Sequence, residues 1–476
     1  MLRKVISLAT LALAANSQNI IPTFLFAQAG ISDASTGLDI SVGDPPPPVE
    51  ECSDIAFCMR TREYRRDTEQ QSSNADLQYY VASHEFNDEE GSIEMDLQMQ
   101  CEDTGYLASK LTAKMWFYQN GIARVVIGEP DNTRFQISQE ELPVVWDQLE
   151  AVQALEANHT KTYDDQGKSG IVVADLERNS CHSTNVENFT YTIQFKPFFQ
   201  VTQMSNDVVT QVINPSGSLY VEDMFSSDSE ASNADDTCFA GLRERTKERT
   251  GTDWFGPNTE RKESISLGFW YATTKLFGLP EREDTLALRR TDGGKYGSGK
   301  PYKIWATDQF AHIPESPQAL YGSIPYINGQ SDKASASSLW VNSARTFVDI
   351  QDSDMDDTKG SKVTFSSSSG ALEVFMFAST AEQHGPFNRV KYVSKDLATV
   401  TGFAAMPMIQ TLGYHFCKYA NVSAEMLMQR NRDFSTFGYP LDVVWSDIAW
   451  SDQNGTGHNF EYFKFNAQNF TAAQVK

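Results

Sequence analysis

The sequence is poor in positive charge. Its 39 lysines and arginines stand against 63 aspartates and glutamates, which gives a formal net charge of −24. Because phosphates and anionic membranes are bound by cationic surfaces, we expect neither nucleic acid nor membrane as a partner. After residue 15 there is no run of about 20 apolar residues, the length that spans a bilayer, so no membrane anchor is predicted. An aromatic content of 12% excludes the disordered acidic class.

Cysteine and histidine, the usual zinc ligands, are also scarce. The chain has six cysteines and seven histidines. Cys52 and Cys58 close a short loop and form the pair that we expect to be a disulfide. The alternative, a zinc site, lacks a second Cys or His pair nearby. We therefore predict no metal and no cofactor.

The N-terminus has the pattern of a secretory leader. Met1–Lys4 is positively charged, and Val5–Ala15 is apolar but too short to span a bilayer. We assign residues 1–29 to the leader, although cleavage after residues 15–17 is the alternative. Entry into the lumen permits N-glycosylation, for which the sequons lie at Asn158, Asn188, Asn421, Asn454 and Asn469. The last three residues are not a retention signal, so residence in the endoplasmic reticulum would need a partner or a further tail.

The middle of the chain reads as a β-sandwich. Residues 30–50 form a Gly/Ser/Pro linker, and residues 51–395 form the sandwich domain with an acidic loop insertion near 222–263. Its clearest signal is a hairpin, Leu111–Tyr118 and Ile122–Ile127 around Asn120-Gly121. Further strands are predicted at Tyr191–Val201, Val208–Ile213, Leu286–Leu288, Tyr302–Trp305, Ser323–Ile327, Leu339–Val341, Phe347–Ile350 and Ala371–Phe377.

A different pattern begins at residue 396. Ile409–Tyr414 is predicted as a strand, Ser423–Phe437 as a helix capped by Ser423, and Leu441–Trp445 as a buried parallel strand. This is one βαβ unit. A (β/α)₈ barrel takes about 250 residues, and only 68 follow from Ile409 onward. Residues 396–476 are therefore expected to be the start of an incomplete barrel.

Polar residues stand where such strands end. Catalytic groups of a (β/α)₈ barrel lie at the carboxyl ends of its strands, which points to His415, Cys417, Tyr419, Asp447 and Trp450. A carboxylate among aromatic rings suits a neutral polyol, because its oxygens accept from hydroxyl groups while the rings cover apolar faces. The alternative for Asp447 is a helix cap.

Several segments together resemble one family. They are Phe277–Glu281, Pro301–Asp308, Ala319–Pro325, Leu339–Asn342, Gly413–Tyr419 and Tyr439–Ile448. In order and approximate spacing they are similar to glycoside hydrolase family 31. The resemblance implies a galactose-mutarotase-like β-sandwich followed by a (β/α)₈ barrel, a multidomain β plus α/β protein that hydrolyses α-glucosidic bonds with retention.

That mechanism needs two carboxyl groups, which the family carries on later barrel strands. The W-x-D-M-N-E-like motif of its nucleophile does not occur here. The nearest string, Asp354–Asp357, is predicted as a polar turn of the sandwich. No residue of this chain is therefore assigned as nucleophile or acid/base, and we expect the chain alone to be inactive.

Three residues correspond to substrate contacts of the family. Asp447 and Asp308 match aspartates that reach the bound glucose, and Tyr419 stands at an aromatic position beside it. The alternative for Tyr419 is core packing. Ala449-Trp450 departs from the pattern, which continues Glu-His after Ile448.

The branch of the family is indicated by two features, the C-x₅-C of Cys52 and Cys58 and the acidic insertion. Both resemble the enzymes that trim glucose from N-glycans in the endoplasmic reticulum, which implies a glucosylated N-glycan or α-glucoside substrate and a β-subunit partner. The alternatives are a lysosomal or secreted α-glucosidase or α-xylosidase of the same family, and a non-catalytic carbohydrate-binding fragment.

Overall fold

A computed structural model provides the structure of the protein. It describes residues 51–70, 77–100, 107–130, 134–135, 160–165, 168–179, 186–222, 237–254, 263–291, 300–307, 315–381, 387–418, 422–452 and 461–475. The chain divides between Val400 and Thr401 into two compact units. The predicted domain boundary at residues 395/396 falls inside a helix that ends at Thr401.

The described elements are named in chain order. The helices are α1 (Ala56–Gln70), α2 (Thr237–Thr250), α3 (Phe387–Thr401), α4 (Ala424–Phe437) and α5 (Ala472–Val475). The first strands are β1 (Tyr80–Asn87), β2 (Ser92–Gln100), β3 (Leu107–Phe117), β4 (Ala123–Gly128), β5 (Thr160–Asp165), β6 (Lys168–Asn179), β7 (Val186–Lys196), β8 (Gln200–Ser205), β9 (Val208–Ile213) and β10 (Tyr220–Val221). The others are β11 (Ile265–Tyr271), β12 (Leu276–Gly278), β13 (Tyr302–Ile304), β14 (Tyr326–Gln330), β15 (Ser335–Ser343), β16 (Thr346–Asp352), β17 (Ser361–Ser367), β18 (Gly370–Ser379), β19 (His415–Lys418), β20 (Val443–Ser446), β21 (Ser451–Asp452) and β22 (Glu461–Phe465). None of the helices in these described ranges is long and apolar enough to cross a membrane.

The first unit is built on two antiparallel sheets. Sheet A has the order β1-β2-β3-β4-β18-β15-β14-β12, and sheet B has the order β13-β16-β17-β11-β9-β8-β7-β6-β5 with β10 beside β11. One buried apolar cluster takes side chains from both sheets, including Val374 and Trp340 of sheet A and Phe269 and Phe365 of sheet B. Alternation along the strands creates these inward faces, as expected for a sandwich.

Sheet A is covered on its other face by α3. Phe375 and Phe377 of β18 point away from the sandwich core and pack with Val393 and Val400 of α3. Every residue of β18 is buried as a result, since the strand has apolar neighbours on both sides. The sequence pattern did not predict this helix.

The amino-terminal helix α1 is held against sheet B by a disulfide and by ion pairs. Cys52 and Cys58 are bonded and pack on Phe347 of β16. The Arg62 guanidinium donates to both carboxylate oxygens of Asp349, at 2.9 and 2.7 Å, and Arg65 approaches the same carboxylate at 3.3 Å. Burial would raise the pKa of Asp349, but Arg65 and Arg62 outweigh it and lower the pKa to about 2.

Two predicted segments of the first unit have a different structure. The acidic segment 222–263 was predicted as a loop, but it contains α2, whose Arg245 and Arg249 pair with Asp67 and Glu63 of α1. These long-range partners stabilise a helix that composition alone does not indicate. Leu286–Leu288 is a turn rather than a strand, in which the Thr285 hydroxyl donates to the Ala287 carbonyl.

Predicted strand edges shift where proline intervenes. Tyr191–Val201 is interrupted after Lys196, because Pro197 has no N–H to donate, and β8 resumes at Gln200. The predicted strand Ser323–Ile327 is shorter in the structure, where β14 begins at Tyr326, directly after Pro325. The hairpin around Asn120-Gly121 is confirmed, with β3 and β4 paired antiparallel.

The second unit contains the predicted helix and two short parallel strands. Ser423 caps α4 by accepting from the Met426 N–H, and β19 pairs in parallel with β20. Ile409–Tyr414 is not a strand: residues 409–412 form a 3₁₀ turn, and pairing starts at His415. The helix ends in Gly438, whose φ of 71° is the left-handed conformation that glycine adopts without strain.

Asp442 fixes how the two parallel strands begin. Its Oδ2 atom accepts from the Tyr414 N–H at 2.9 Å, and its own N–H donates to the Tyr414 carbonyl at 3.0 Å. Gly413 leaves room for this carboxylate, because a Cβ atom there would lie 2.1 Å from Asp442 Oδ2.

The substitution Asp349→Asn should lower the free energy of unfolding of the first unit by about 3–5 kcal/mol, since it leaves two arginines without a buried counter-charge. Urea unfolding followed by tryptophan fluorescence measures this. The control is Asp354→Asn in the exposed pair with Lys359, for which a loss below about 1 kcal/mol is expected. Because its folded pKa is depressed, the Asp349 contribution is present above pH 4 and lost as the pH falls toward 2. Equal losses in the two variants would contradict this interpretation.

The substitution Gly413→Ala should displace the Asp442 carboxylate and destabilise the β19–β20 pair by about 1–3 kcal/mol, the usual effect of overpacking. Amide hydrogen exchange across residues 415–418 should become faster. Gly128→Ala is the control, since a Cβ atom at that glycine meets nothing within 4 Å. Unchanged exchange in Gly413→Ala would show that the contact does not hold the strands.

Candidate functional site

The candidate site lies at the carboxyl ends of β19 and β20. Lys418 pairs with Ser446 at the last position of the register, so the two strands finish side by side. Asp447 follows directly and donates its N–H to the Lys418 carbonyl at 3.1 Å. The strand ends therefore place the Asp447 side chain at the edge where barrel enzymes carry their functional groups.

The Asp447 carboxylate also caps a short 3₁₀ turn. Its Oδ1 atom accepts from the Ile448 N–H at 2.6 Å, and the turn continues to Trp450. This is the cap that the sequence offered as the alternative role. A carboxylate has two oxygens and about four acceptor positions, so one bond to Ile448 leaves acceptor capacity for a sugar hydroxyl.

Two further predicted positions lie on β19. Cys417 is an exposed free thiol, whose pKa is raised by partial desolvation and by the Asp447 carboxylate. His415 lies two residues before Cys417 on the same strand, and its Nε2 atom is 3.1 Å from the Thr411 carbonyl oxygen. The raised pKa keeps the Cys417 thiol protonated at neutral pH, which is a poor state for a nucleophile.

The departure from the family pattern has a structural use. Ala449 and Trp450 pack against the small buried cluster of Val422, Ala424 and Phe470. The Trp450 ring meets the Phe465 ring edge-on at 5.5 Å. These residues therefore supply apolar contacts within the second unit.

Some predicted site residues lie outside the described residues. These are Asp308, Tyr419, Asn158, Asn421 and Asn454. Of the other sequons, Asn188 is exposed on β7, and Asn469 is half-buried, with its carbonyl accepting from the Ala424 N–H. Asp354–Asp357 forms the turn between β16 and β17, in which Met355 and Thr358 bridge.

The chain leading to Asp308 is firmly anchored. The Thr307 N–H donates to the Leu320 carbonyl at 2.8 Å, and its hydroxyl donates to Ala319. Upstream, the Trp305 ring lies between Phe347, at 5.1 Å, and the Arg345 guanidinium, at 4.7 Å. The sequence did not single out these contacts.

A half-buried arginine, Arg282, contacts the same loops. Arg282 donates to the carbonyls of Leu279 and Pro317 and lies over the Tyr302 ring at 4.9 Å. Burial lowers its pKa to about 10. The sequence feature that could have indicated Arg282 is its position directly after the Phe277–Glu281 segment. Within the part of the chain that the structure describes, no three His, Cys, Asp or Glu side chains form a possible metal site.

Comparison with known families gives two matches in chain order. The "Glycosyl hydrolase 31 N-terminal galactose mutarotase-like domain" matches residues 112–349, which is half of the chain. The "Glycosyl hydrolases family 31 TIM-barrel domain" matches residues 404–476. The predicted order of a mutarotase-like sandwich and the beginning of a barrel is confirmed.

Among curated proteins, the chain is 30% identical over 221 residues to "Neutral alpha-glucosidase AB" of Dictyostelium discoideum, a match of 45% of this chain and 22% of that protein. It is 28% identical to "Probable glucan 1,3-alpha-glucosidase" of Arabidopsis thaliana over 70% of this chain and 34% of that protein. With "Glucosidase 2 subunit alpha" of Schizosaccharomyces pombe it shares 25% identity over 40% of this chain and 20% of that protein. The matches thus span between a fifth and about a third of the length of these relatives.

Among solved structures, the fold is similar to a Tris-bound glucosidase II alpha subunit. The TM-score is 0.67 at 23% identity, and the match covers 89% of this chain and 44% of the other. The family predicted from the sequence motifs is confirmed by both domain matches: the chain belongs to glycoside hydrolase family 31.

Proposed function

We propose that this chain supplies the β-sandwich and the first barrel strands of a retaining α-glucosidase that trims glucose from N-glycans. The observation that carries the proposal is the position of Asp447, which follows the second of two parallel strands and keeps acceptor capacity. The names of the three relatives support the activity, since they are α-glucosidases or a glucosidase subunit.

In this proposal the sugar is held by Asp447, Asp308 and Tyr419. The carboxylates accept from hydroxyl groups, and the phenol ring covers an apolar face of the sugar. The two carboxyl groups that break the glycosidic bond, about 5–5.5 Å apart in a retaining enzyme, are contributed by later barrel strands. Residues 1–476 provide binding groups, and catalysis belongs to the longer protein.

We further propose the lumen of the endoplasmic reticulum as the location and a β subunit as the partner. One similar solved structure is a heterodimer of the glucosidase II catalytic subunit with the binding domain of its regulatory subunit. The leader pattern of residues 1–29 and the Cys52–Cys58 disulfide agree with a lumenal protein.

The proposal is tested first on the chain itself. Purified residues 30–476 should give no turnover of an aryl α-glucoside, whereas the protein with the complete barrel should be active. In that longer protein Asp447→Asn should lower kcat/KM by on the order of 10–150-fold, which corresponds to the loss of one charged hydrogen bond of about 1.5–3 kcal/mol.

Asp433→Asn is the matched control, because Asp433 is a partly exposed residue of α4 that contacts Arg430. It should leave kcat/KM unchanged. Turnover by residues 30–476 alone, or equal activity of the Asp447 and Asp433 variants, would contradict the proposed roles.

A further inference from the structure

Three charged side chains are buried together beneath α3. They are Arg178 of β6, Glu187 of β7 and Asp396 of α3, which are only 5%, 6% and 4% exposed. Two carboxylates thus share one guanidinium. When all three are ionised, the cluster carries a net negative charge inside the protein, which is an unfavourable state in a medium of low dielectric constant.

The two carboxylates are not equally stabilised. Glu187 accepts from Arg178 Nη1 at 2.8 Å, from the Ser205 hydroxyl at 2.7 Å and from the Ser379 hydroxyl at 3.2 Å. The Thr380 N–H donates to it as well. The Asp396 carboxylate accepts a hydrogen bond from Arg178 Nη2. Among the described residues, Arg178 is its only hydrogen-bond donor. Glu187 is therefore suited to carry a charge, and Asp396 is suited to carry a proton.

Arg178 cannot direct all of its N–H groups to Asp396, because some of them donate to other acceptors. Nη1 also donates to the Ala378 carbonyl at 3.1 Å, and Nη2 donates to the Asn120 carbonyl at 3.0 Å. Its guanidinium lies against the rings of Phe189, at 5.0 Å, and Tyr392, at 5.4 Å. The arginine is fixed between the sheets and the helix, and one proton on Asp396 balances the charges.

The electrostatics of the site agree with this geometry. Burial raises the pKa of Asp396 to about 7, with Arg178 opposing the rise and Glu187 adding to it. Lys395, the neighbour of Asp396 on α3, also lowers it. Burial raises the pKa of the Tyr191 and Tyr326 phenols, and the Asp396 charge adds to the rise in each.

We propose that a proton on Asp396 holds α3 on the sandwich, so that this helix is a pH-sensitive latch that packs tightly in mild acid and loosens as the pH rises to neutrality. The helix is well placed for such a role. Its Val393 and Val400 cover the outer face of sheet A, and its carboxyl end, at Thr401, is where the chain passes into the second unit.

The direction of the effect follows from the linkage of proton binding to packing. The folded pKa lies above the ordinary value of 3.8, so packing of α3 takes up a proton. The stabilisation is complete below about pH 4, declines as the pH rises toward 7, and changes little above it.

Hydrogen exchange of the full chain between pH 5 and 8.5 tests the latch. After correction for intrinsic exchange rates, the opening constant of residues 387–401 should rise by up to tenfold per pH unit from pH 5 to 7, then level off. Residues 361–367 of β17 serve as the internal reference, and their opening constant should not show this rise between pH 5 and 7. An opening constant of α3 that does not change between pH 5 and 8 would overturn the proposal.

Two variants separate the latch from a purely structural role. Asp396→Asn keeps the shape without the charge, so α3 should stay protected at pH 8 as it is at pH 5. Glu187→Gln removes the like charge and should lower the pH at which the opening constant of α3 levels off, which is the midpoint of Asp396 titration. A wild-type pH profile in Asp396→Asn would contradict the proposal. If that variant does not fold, the midpoint of Glu187→Gln decides, and an unchanged midpoint counts against the latch.

Discussion

The packing of two large antiparallel sheets is the constraint on which the other described features of the first unit depend. The buried layer between the sheets fixes the strands, and the strands fix the places where loops and helices can attach. Because the inner faces are apolar, charged groups near them are retained only where an opposite charge meets them. The pairs Arg62–Asp349 and Arg178–Glu187 are of this kind. The first joins elements distant in the sequence, and the second joins the neighbouring strands β6 and β7.

The same arginine chemistry has two different outcomes in this fold. At Asp349 two guanidinium groups serve one carboxylate, and the pKa falls to about 2. At Asp396 one guanidinium is shared by two carboxylates, and the pKa rises to about 7. The first arrangement fixes α1 at every physiological pH, while the second makes the packing of α3 depend on a proton. Both carboxylates are buried, so the number of arginines per carboxylate determines whether the contact is independent of pH or depends on a proton.

Local patterns were predictable where neighbours in sequence decide the structure. Asn120-Gly121 specifies its hairpin because Asn120 adopts a positive φ of 66°, and Ser423 specifies the start of α4. Helices α1 and α2 depend on pairs such as Asp67–Arg245, 178 positions apart, which no local pattern shows. Ile409–Tyr414 has apolar residues typical of a strand, yet pairing is limited by where β20 begins.

The candidate site was predictable only in part. The strand-end rule and the family motifs both indicated Asp447. Its hydrogen bond from the Ile448 N–H, and the loop contacts of Arg282 and Thr307, depend on three-dimensional geometry that the sequence does not show. Asp308 and Tyr419 remain predictions from the resemblance. Their roles depend on distances across loops, which spacing along the chain does not fix.

We propose that Asp447, Asp308 and Tyr419 bind the sugar, whereas the catalytic carboxylates lie outside residues 1–476. Covalent trapping tests it most directly, because a retaining enzyme forms a glycosyl–carboxylate bond with its nucleophile. The protein with its complete barrel would be treated with 5-fluoro-α-glucosyl fluoride, digested and mapped by mass spectrometry. We expect a label on a carboxylate outside residues 1–476. A label on any aspartate or glutamate within residues 30–476 would contradict it.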